Sequence, residues 1–248
     1  MRWKCICSYD GTDFDGWQSQ PSGNGIQDIL EKRLAFICDH PVRIHSSGRT
    51  DAGVHAISQV FHFDGEWKHG ADRLVRAFGS NIPRTIQVFS AEEVAQTFHA
   101  RFSAIRKRYE YHMLEGEASP FNYRYVLSLG RKRLNVEHMN EVAEKFLGEH
   151  DFSAFGAAHD DNSSENTIKI MHGMRFVRHG NRVTFITEGS GYLYKMVRIL
   201  AGCFLQVGLG KIDGDSLIAA LDSKNIGQEN FRRECLPAWG LFLARVYY

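Results

Sequence analysis

Period-two alternation recurs along this chain and commits it to a fold built on sheets. Trp3, Cys5, Cys7 and Tyr9 share one face of a run over residues 2 to 9, which ends at the turn signal Asp10-Gly11. The same alternation marks Pro41 to Ser46 and Ile57 to Phe63. Between them Ile26, Ile29, Leu30, Arg33, Leu34 and Ile37 stand at helical spacing, which predicts an amphipathic helix. A helix over Asp72 to Phe78 and a strand near Ile86 to Val94 follow. Strand, helix, strand, strand, helix, strand is the split βαβ order of ferredoxin-like folds.

A similar order begins near Ala104. It predicts strands at Arg108 to Leu114 and Tyr125 to Leu129, a helix over Val136 to Leu147, and strands at Ile168 to Val177 and Val183 to Glu188. A long helix over Tyr192 to Val207 carries Lys195 and Arg198 on one side; a short helix (Ser216 to Leu221) and a strand (Leu241 to Tyr247) end the chain. The expectation is an α+β protein of two ferredoxin-like (split βαβ) halves with antiparallel sheets, residues 1–100 and 101–248. Gly156 to Asn166 reads as a loop.

With 248 residues and 43% hydrophobic content, the chain has ample material for a packed core. A formal net charge of +1 means that any polyanion site must come from local clustering of cations. Arg101, Arg106, Lys107 and Arg108 form such a cluster, directly followed by Tyr109 and Tyr111. The five cysteines are odd in number and lack C-x-x-C spacing, as expected of reduced thiols in a cytoplasmic protein. Met1-Arg2-Trp3-Lys4 leads into a strand rather than a signal segment, and no apolar run approaches membrane-spanning length. Neither secretion nor membrane insertion is expected.

The stretch Ser47-Gly48-Arg49-Thr50-Asp51-Ala52-Gly53-Val54-His55 crowds a carboxylate, a guanidinium and an imidazole around two glycines, between two expected strands. Asp51 is the candidate catalytic residue, although Asp and Gly also form ordinary turns. Asp10, Asp13 and Asp15 do not make an EF-hand, because its sixth and twelfth positions hold Asp15 and Pro21. There is no H-E-x-x-H, no G-x-S-x-G and no framed dinucleotide fingerprint, so neither metal nor cofactor is expected. What is left suits chemistry at a sugar or base: a carboxylate acting on an anomeric carbon, kept ionised by a guanidinium. Arg198 could be that partner or a surface arginine. Tyr109 could be core or a stacking platform for an unpaired base.

These segments in order resemble the tRNA pseudouridine synthase A family. The resemblance is carried by Tyr9 to Gln18, Ser47 to His55, Phe98 to Ala104, Arg108-Tyr109-Glu110-Tyr111, His150 to Phe155, Met196-Val197-Arg198 and Gly240 to Leu243. It implies a cofactor-free isomerase converting uridine to pseudouridine at positions 38, 39 and 40 in the anticodon stem-loop of tRNA, usually a homodimer. By the same resemblance Asp51 is the essential carboxylate, Tyr109 stacks on the flipped base and is a candidate to help remove its C5 proton, Arg198 pairs with Asp51, and Arg49 holds the extruded nucleotide or its phosphate. Arg101 and His55 join them as expected substrate contacts, in a central cleft assembled from both halves. Lys169 stands where an arginine is expected, and a lysine cannot give a bidentate phosphate contact. Two rival readings are a non-catalytic RNA-binding module and a nucleoside or glycoside hydrolase. The first does not call for a carboxylate facing a polyanion, and the second normally uses a second carboxylate.

Overall fold

The computed structural model describes residues 1–157, 166–221 and 232–248. Most of the loop expected over Gly156 to Asn166, together with Ser163, Ser164 and Glu165, lies outside them. The chain divides into two compact units, Met1–Ile105 with Phe242–Tyr248, and Arg106–Leu241. It is an α+β protein in which antiparallel pairing dominates.

In the first unit, β1 (Arg2–Tyr9) leads to α1 (Ile26–Cys38), β2 (Ile44–Ser46), β3 (His55–Asp64), α2 (Ala71–Phe78) and β4 (Ile86–Val94). The strands lie in the order β4-β1-β3, with β2 antiparallel to β3 through Ile44–Phe63 and Ser46–Phe61. Register sets the faces: Trp3, Cys5 and Cys7 lie opposite Phe63, Phe61 and Gln59, and all six are buried. The helices supply the cover for that face, with Phe78 edge-on to Phe61 at 6.0 Å and Leu30, Leu34 and Leu74 fully buried. The other face carries Lys4 opposite His62; there Lys4 Nζ lies over the rings of Phe98 (5.6 Å) and Tyr248 (4.9 Å). The last strand of the chain, β10 (Leu241–Tyr247), runs parallel to β3 at His55 and Ala56.

The second unit contains β5 (Arg106–Leu114), β6 (Leu127–Ser128), α3 (Val136–Glu144), β7 (Gly148–Asp151), β8 (Ile168–His179), β9 (Arg182–Gly189), α4 (Met196–Gly208) and α5 (Gly214–Ala219). Its strand order is β5-β9-β8-β7, all antiparallel, while β6 pairs parallel to β5 at Met113 and Leu114. One face holds a phenylalanine core: Phe176 stacks on Phe185 at 4.7 Å, and Phe204 of α4 meets both at 5.2 and 5.8 Å. Phe146 joins Phe204 at 5.2 Å and Phe155 at 5.6 Å. Each such ring removes a large apolar area from water, about 1.5–3 kcal/mol of transfer free energy.

Three expectations are corrected. The helix expected from Tyr192 starts at Met196, with Lys195 at its N-cap in the left-handed region (φ 58°), so Lys195 and Arg198 do not share a helix face. Tyr192 is drawn back to the sheet, where its hydroxyl bonds Thr187, and apolar character alone cannot distinguish that from helix packing. The strand expected over Tyr125 to Leu129 is two residues, because Ser119 and Asn122 hold the preceding segment in turns. The two parallel pairings, β10 with β3 and β6 with β5, depart from purely antiparallel sheets. Strand β7 was not anticipated: Gly-Glu-His-Asp has no apolar period and is a strand by virtue of its pairing with Ile168 to Met171.

Candidate functional site

The loop from Ser47 to Val54 joins β2 to β3, and its base is fixed by interlocked polar contacts. Ser47 N–H donates to the Val60 carbonyl (2.8 Å), Ser47 Oγ to Gln59 Oε1 (2.7 Å), and Gln59 Nε2 to the Gly48 carbonyl (2.9 Å). Thr50 Oγ1 lies 2.8 Å from the Tyr9 hydroxyl. Ser47, Gln59 and Thr50 are buried, so a missing partner would cost about 1–3 kcal/mol each. The tip closes as a turn from Val54 N–H to the Asp51 main-chain carbonyl (3.1 Å), with Gly53 at φ 78°. Asp51 is half-buried there, and Arg49 and Ala52 are exposed.

The segment Tyr9 to Gln18 presses against this loop from below. A β-carbon on Gly11 would collide with the Val54 carbonyl. At Gly16, φ 88°, it would stand 2.6 Å from the Thr50 carbonyl oxygen. Trp17 N–H donates to that same carbonyl (3.0 Å), and the indole packs 6.0 Å from Tyr9 and 6.2 Å from Phe61. The carbonyls of Gly16 and Trp17 accept the Ile26 and Gln27 N–H groups (3.0 Å each), two of the donors that a helix start leaves without internal partners. The start of α1 and the Asp51 loop are thereby held by one short backbone segment.

His55 is buried at the head of β3. Its ring stacks on Phe242 (4.6 Å), and Nδ1 accepts the Gly11 N–H at 3.0 Å and lies 3.1 Å from Asp10 Oδ1. It ties the Asp10-Gly11 turn to the loop carrying Asp51. Arg101 is exposed on the surface of the same unit, with its guanidinium 5.8 Å from the Phe102 ring centroid.

Tyr109 and Arg198 belong to the second unit. Tyr109 lies on β5 opposite Thr187, 8% exposed, with Tyr192 edge-on at 5.1 Å. The Tyr192 hydroxyl contacts Thr187 Oγ1 (3.2 Å) and donates to the Lys107 carbonyl (3.3 Å); burial pushes its pKa above the ordinary phenol value. Tyr192 was absent from the sequence-based site because it is 83 residues from Tyr109 and no local pattern links them. Arg198 lies in the first turn of α4, and its Nε donates to the Leu236 carbonyl at 2.7 Å. Gly202, one turn on, lets the helix touch the chain near Glu234, whose carbonyl a β-carbon would strike. The arginine is therefore anchored through Nε.

The cationic run before Tyr109 is not one surface. Strand alternation sends Arg106, Arg108 and Glu110 to one face and Lys107, Tyr109 and Tyr111 to the other. On the first face Arg108 pairs with Glu110 (2.7 Å), and Arg106 lies 3.6 Å from Glu188. Adjacency in sequence suggested a joint phosphate-and-base site; the period of the strand separates its members.

Among the described residues no group of three or more His, Cys, Asp or Glu side chains is arranged to hold a metal ion, and no helix is long and apolar enough to cross a membrane. No disulfide joins the five cysteines: Cys5, Cys7 and Cys203 are buried, and Cys38 and Cys235 half-buried.

Comparison with known proteins gives these loops a context. The pattern of the family described as tRNA pseudouridine synthase matches residues 6–103 and 142–248. The chain is 38% identical over 247 residues to tRNA pseudouridine synthase A of an Exiguobacterium strain, covering all of this chain and 98% of that one. It is 40% identical over 251 residues to tRNA pseudouridine synthase A of Bacillus subtilis, covering all of this chain and 99% of the relative. The enzyme of that name from Lysinibacillus sphaericus is 37% identical over 251 residues, with the same coverage. Full-length similarity of this kind includes both units and every segment that builds the Asp51 loop, so the chain belongs to the tRNA pseudouridine synthase family, isomerases that convert uridine in tRNA to pseudouridine.

Proposed function

We propose that this isomerase acts on uridines 38, 39 and 40 of the tRNA anticodon stem-loop, with Asp51 as the essential carboxylate. The observation that carries the reading is the clamping of the Asp51 loop. Two glycine backbones, a buried Ser-Gln-Thr-Tyr network and His55 all hold the turn that carries half-buried Asp51, two residues after exposed Arg49. Preorganisation of this kind is expected where a carboxylate must meet C1′ of a ribose within a few tenths of an ångström. The uracil is released from C1′, turned over and rejoined through C5. The target uridine must first leave its stack, at a cost of a few kcal/mol that stacking and phosphate contacts offset.

In this reading Tyr109 stacks on the flipped base, Arg198 pairs with Asp51, Arg49 holds the extruded nucleotide or its phosphate, and Arg101 contacts the RNA; His55, expected as a substrate contact, is buried and acts instead by positioning the loop. Each half is read as a split βαβ sheet, the boundary expected at residue 100 standing near the division at Ile105, and the enzyme is read as a cytoplasmic, cofactor-free homodimer. The antiparallel order β4-β1-β3-β2 in the first unit supports the split βαβ description there. Arg198 is fixed in orientation by its Nε on the Leu236 carbonyl, and a guanidinium is the group best matched to a carboxylate.

The test is tritium release from C5-labelled uridine in unmodified tRNA. Wild-type protein is expected to release it only from tRNAs with uridine at positions 38, 39 or 40, and Asp51→Asn to bind tRNA without releasing it. Full release by Asp51→Asn removes Asp51 from the chemistry; release from tRNAs lacking those uridines removes the positional assignment.

A further inference from the structure

Segment 96–105 of the first unit is built as a rigid mount. Arg2, paired with Asp64, donates to the carbonyls of Gln96 (2.6 Å) and Phe98 (2.8 Å). His62 Nδ1 accepts the Ala100 N–H (3.1 Å), while the Ala100 carbonyl accepts the Tyr248 hydroxyl (2.7 Å). His99 Nδ1 accepts from both Arg101 N–H (3.1 Å) and Phe102 N–H (3.3 Å), and Ser103 Oγ accepts the His99 N–H (2.9 Å). Ile105 N–H donates to the Tyr247 carbonyl at 2.8 Å. On this fixed backbone the Phe102 ring is 76% exposed, backed by the His99 ring at 4.4 Å. The Arg101 guanidinium stands beside it.

Here a large apolar ring is held in water by a backbone fixed at several points, and it is paired with an exposed cation. Phe36 supplies the contrast. It is equally exposed, 76%, and has Arg33 over its ring at 5.1 Å, yet Arg33 is buried with its Nε on the Ala77 carbonyl (2.7 Å). Arg33 is a structural brace, whereas Arg101 faces solvent.

We infer that Phe102 and Arg101 form a tRNA-binding platform: the ring stacks on an unpaired nucleobase other than the reacting uridine, and the guanidinium meets a neighbouring phosphate. A ring beside a cation matches the alternation of π-face and anion along a nucleotide chain, which a protein surface does not repeat. The inference rests on tRNA being the substrate, and it is tested by binding rather than by turnover so that the two can fail separately.

The experiment measures Kd for unmodified tRNA at fixed salt with wild type, Phe102→Ala, Phe102→Trp, Arg101→Ala and Phe36→Ala. Loss of one base stack predicts a rise in Kd of about tenfold for Phe102→Ala. Phe102→Trp should bind within about twofold of wild type, since an indole also stacks. Arg101→Ala should weaken binding and lower the steepness of its salt dependence, and Phe36→Ala should bind as wild type does. The ring is exposed, so the unfolding midpoint of Phe102→Ala should stay within about 3 °C of wild type. An unchanged Kd for Phe102→Ala overturns the platform, as does equal weakening by Phe102→Trp. Altered sedimentation of Phe102→Ala with unchanged tRNA affinity would make the ring a contact between copies of the chain instead. Absence of tritium release by wild type would refute the catalytic reading, whatever the Kd values show.

Discussion

The α-carbon of Gly16 lies against the Thr50 carbonyl so closely that a β-carbon would stand 2.6 Å from that oxygen. Gly16→Ala must therefore move the Asp51 loop or break the Trp17–Thr50 hydrogen bond, and at φ 88° alanine adds backbone strain. The expected stability loss is about 2–4 kcal/mol, with residual folded protein at least about tenfold slower. Denaturant unfolding read beside tritium release checks this. A variant with wild-type kcat would mean that the clamp does not position Asp51.

Arg198 combines an anchored Nε with a planar fork, which lysine cannot reproduce. Arg198→Lys is expected to lose activity almost as far as Arg198→Ala, about a hundredfold or more in kcat, with a small change in tRNA affinity. Single-turnover kinetics at saturating enzyme separate the two effects. Rescue by lysine would reduce Arg198 to a point charge.

Tyr109 is buried against Tyr192. Tyr109→Leu keeps apolar volume but loses the ring and its hydroxyl. Its kcat should fall about tenfold or more while KM changes less, and equal losses in both would make it a binding residue alone.

His62 gives the fold a pH dependence. Burial first, then His99, Arg2 and His45, lower its pKa to about 4, with Asp64 opposing. His45 stacks on it at 5.1 Å and His99 lies edge-on at 4.6 Å, shifted down as well, chiefly by burial. A pKa depressed in the folded state means that the unfolded chain binds more protons between about pH 6.5 and 4. Stability is thus complete above about pH 6.5 and falls as the solution is acidified, by at most about 1.4 kcal/mol per pH unit for one proton. His62→Gln, which retains an acceptor for Ala100 N–H, should flatten that decline. Urea midpoints from pH 7.5 to 4.5 decide it, and parallel wild-type and variant curves would show that His62 is not the sensor.

Much of this protein was legible locally. The runs from Trp3 to Tyr9 and Ile86 to Val94 became strands with the expected ends, because alternate side chains must bury or face water whatever the partner strand is. The helix at Ile26 likewise followed from its apolar stripe. The loop carrying Asp51 and Arg49 was legible as a connector between two strands, and it is one. Four-residue β7 and the left-handed Lys195 carry no such period, so they were not visible.

Sequence alone determined the order of the strongly periodic strands and helices, and the family through ordered motifs. Tertiary structure decided what those motifs lie against. It put Gly11 and Gly16 under the Asp51 loop, buried His55, separated Arg108 from Tyr109 across the sheet, and gathered His45, His62 and His99 beneath Phe102. The physical reason is range: periodicity reports whether a side chain is buried, but its neighbour is chosen by pairing between residues tens of positions apart, and no local pattern records that choice.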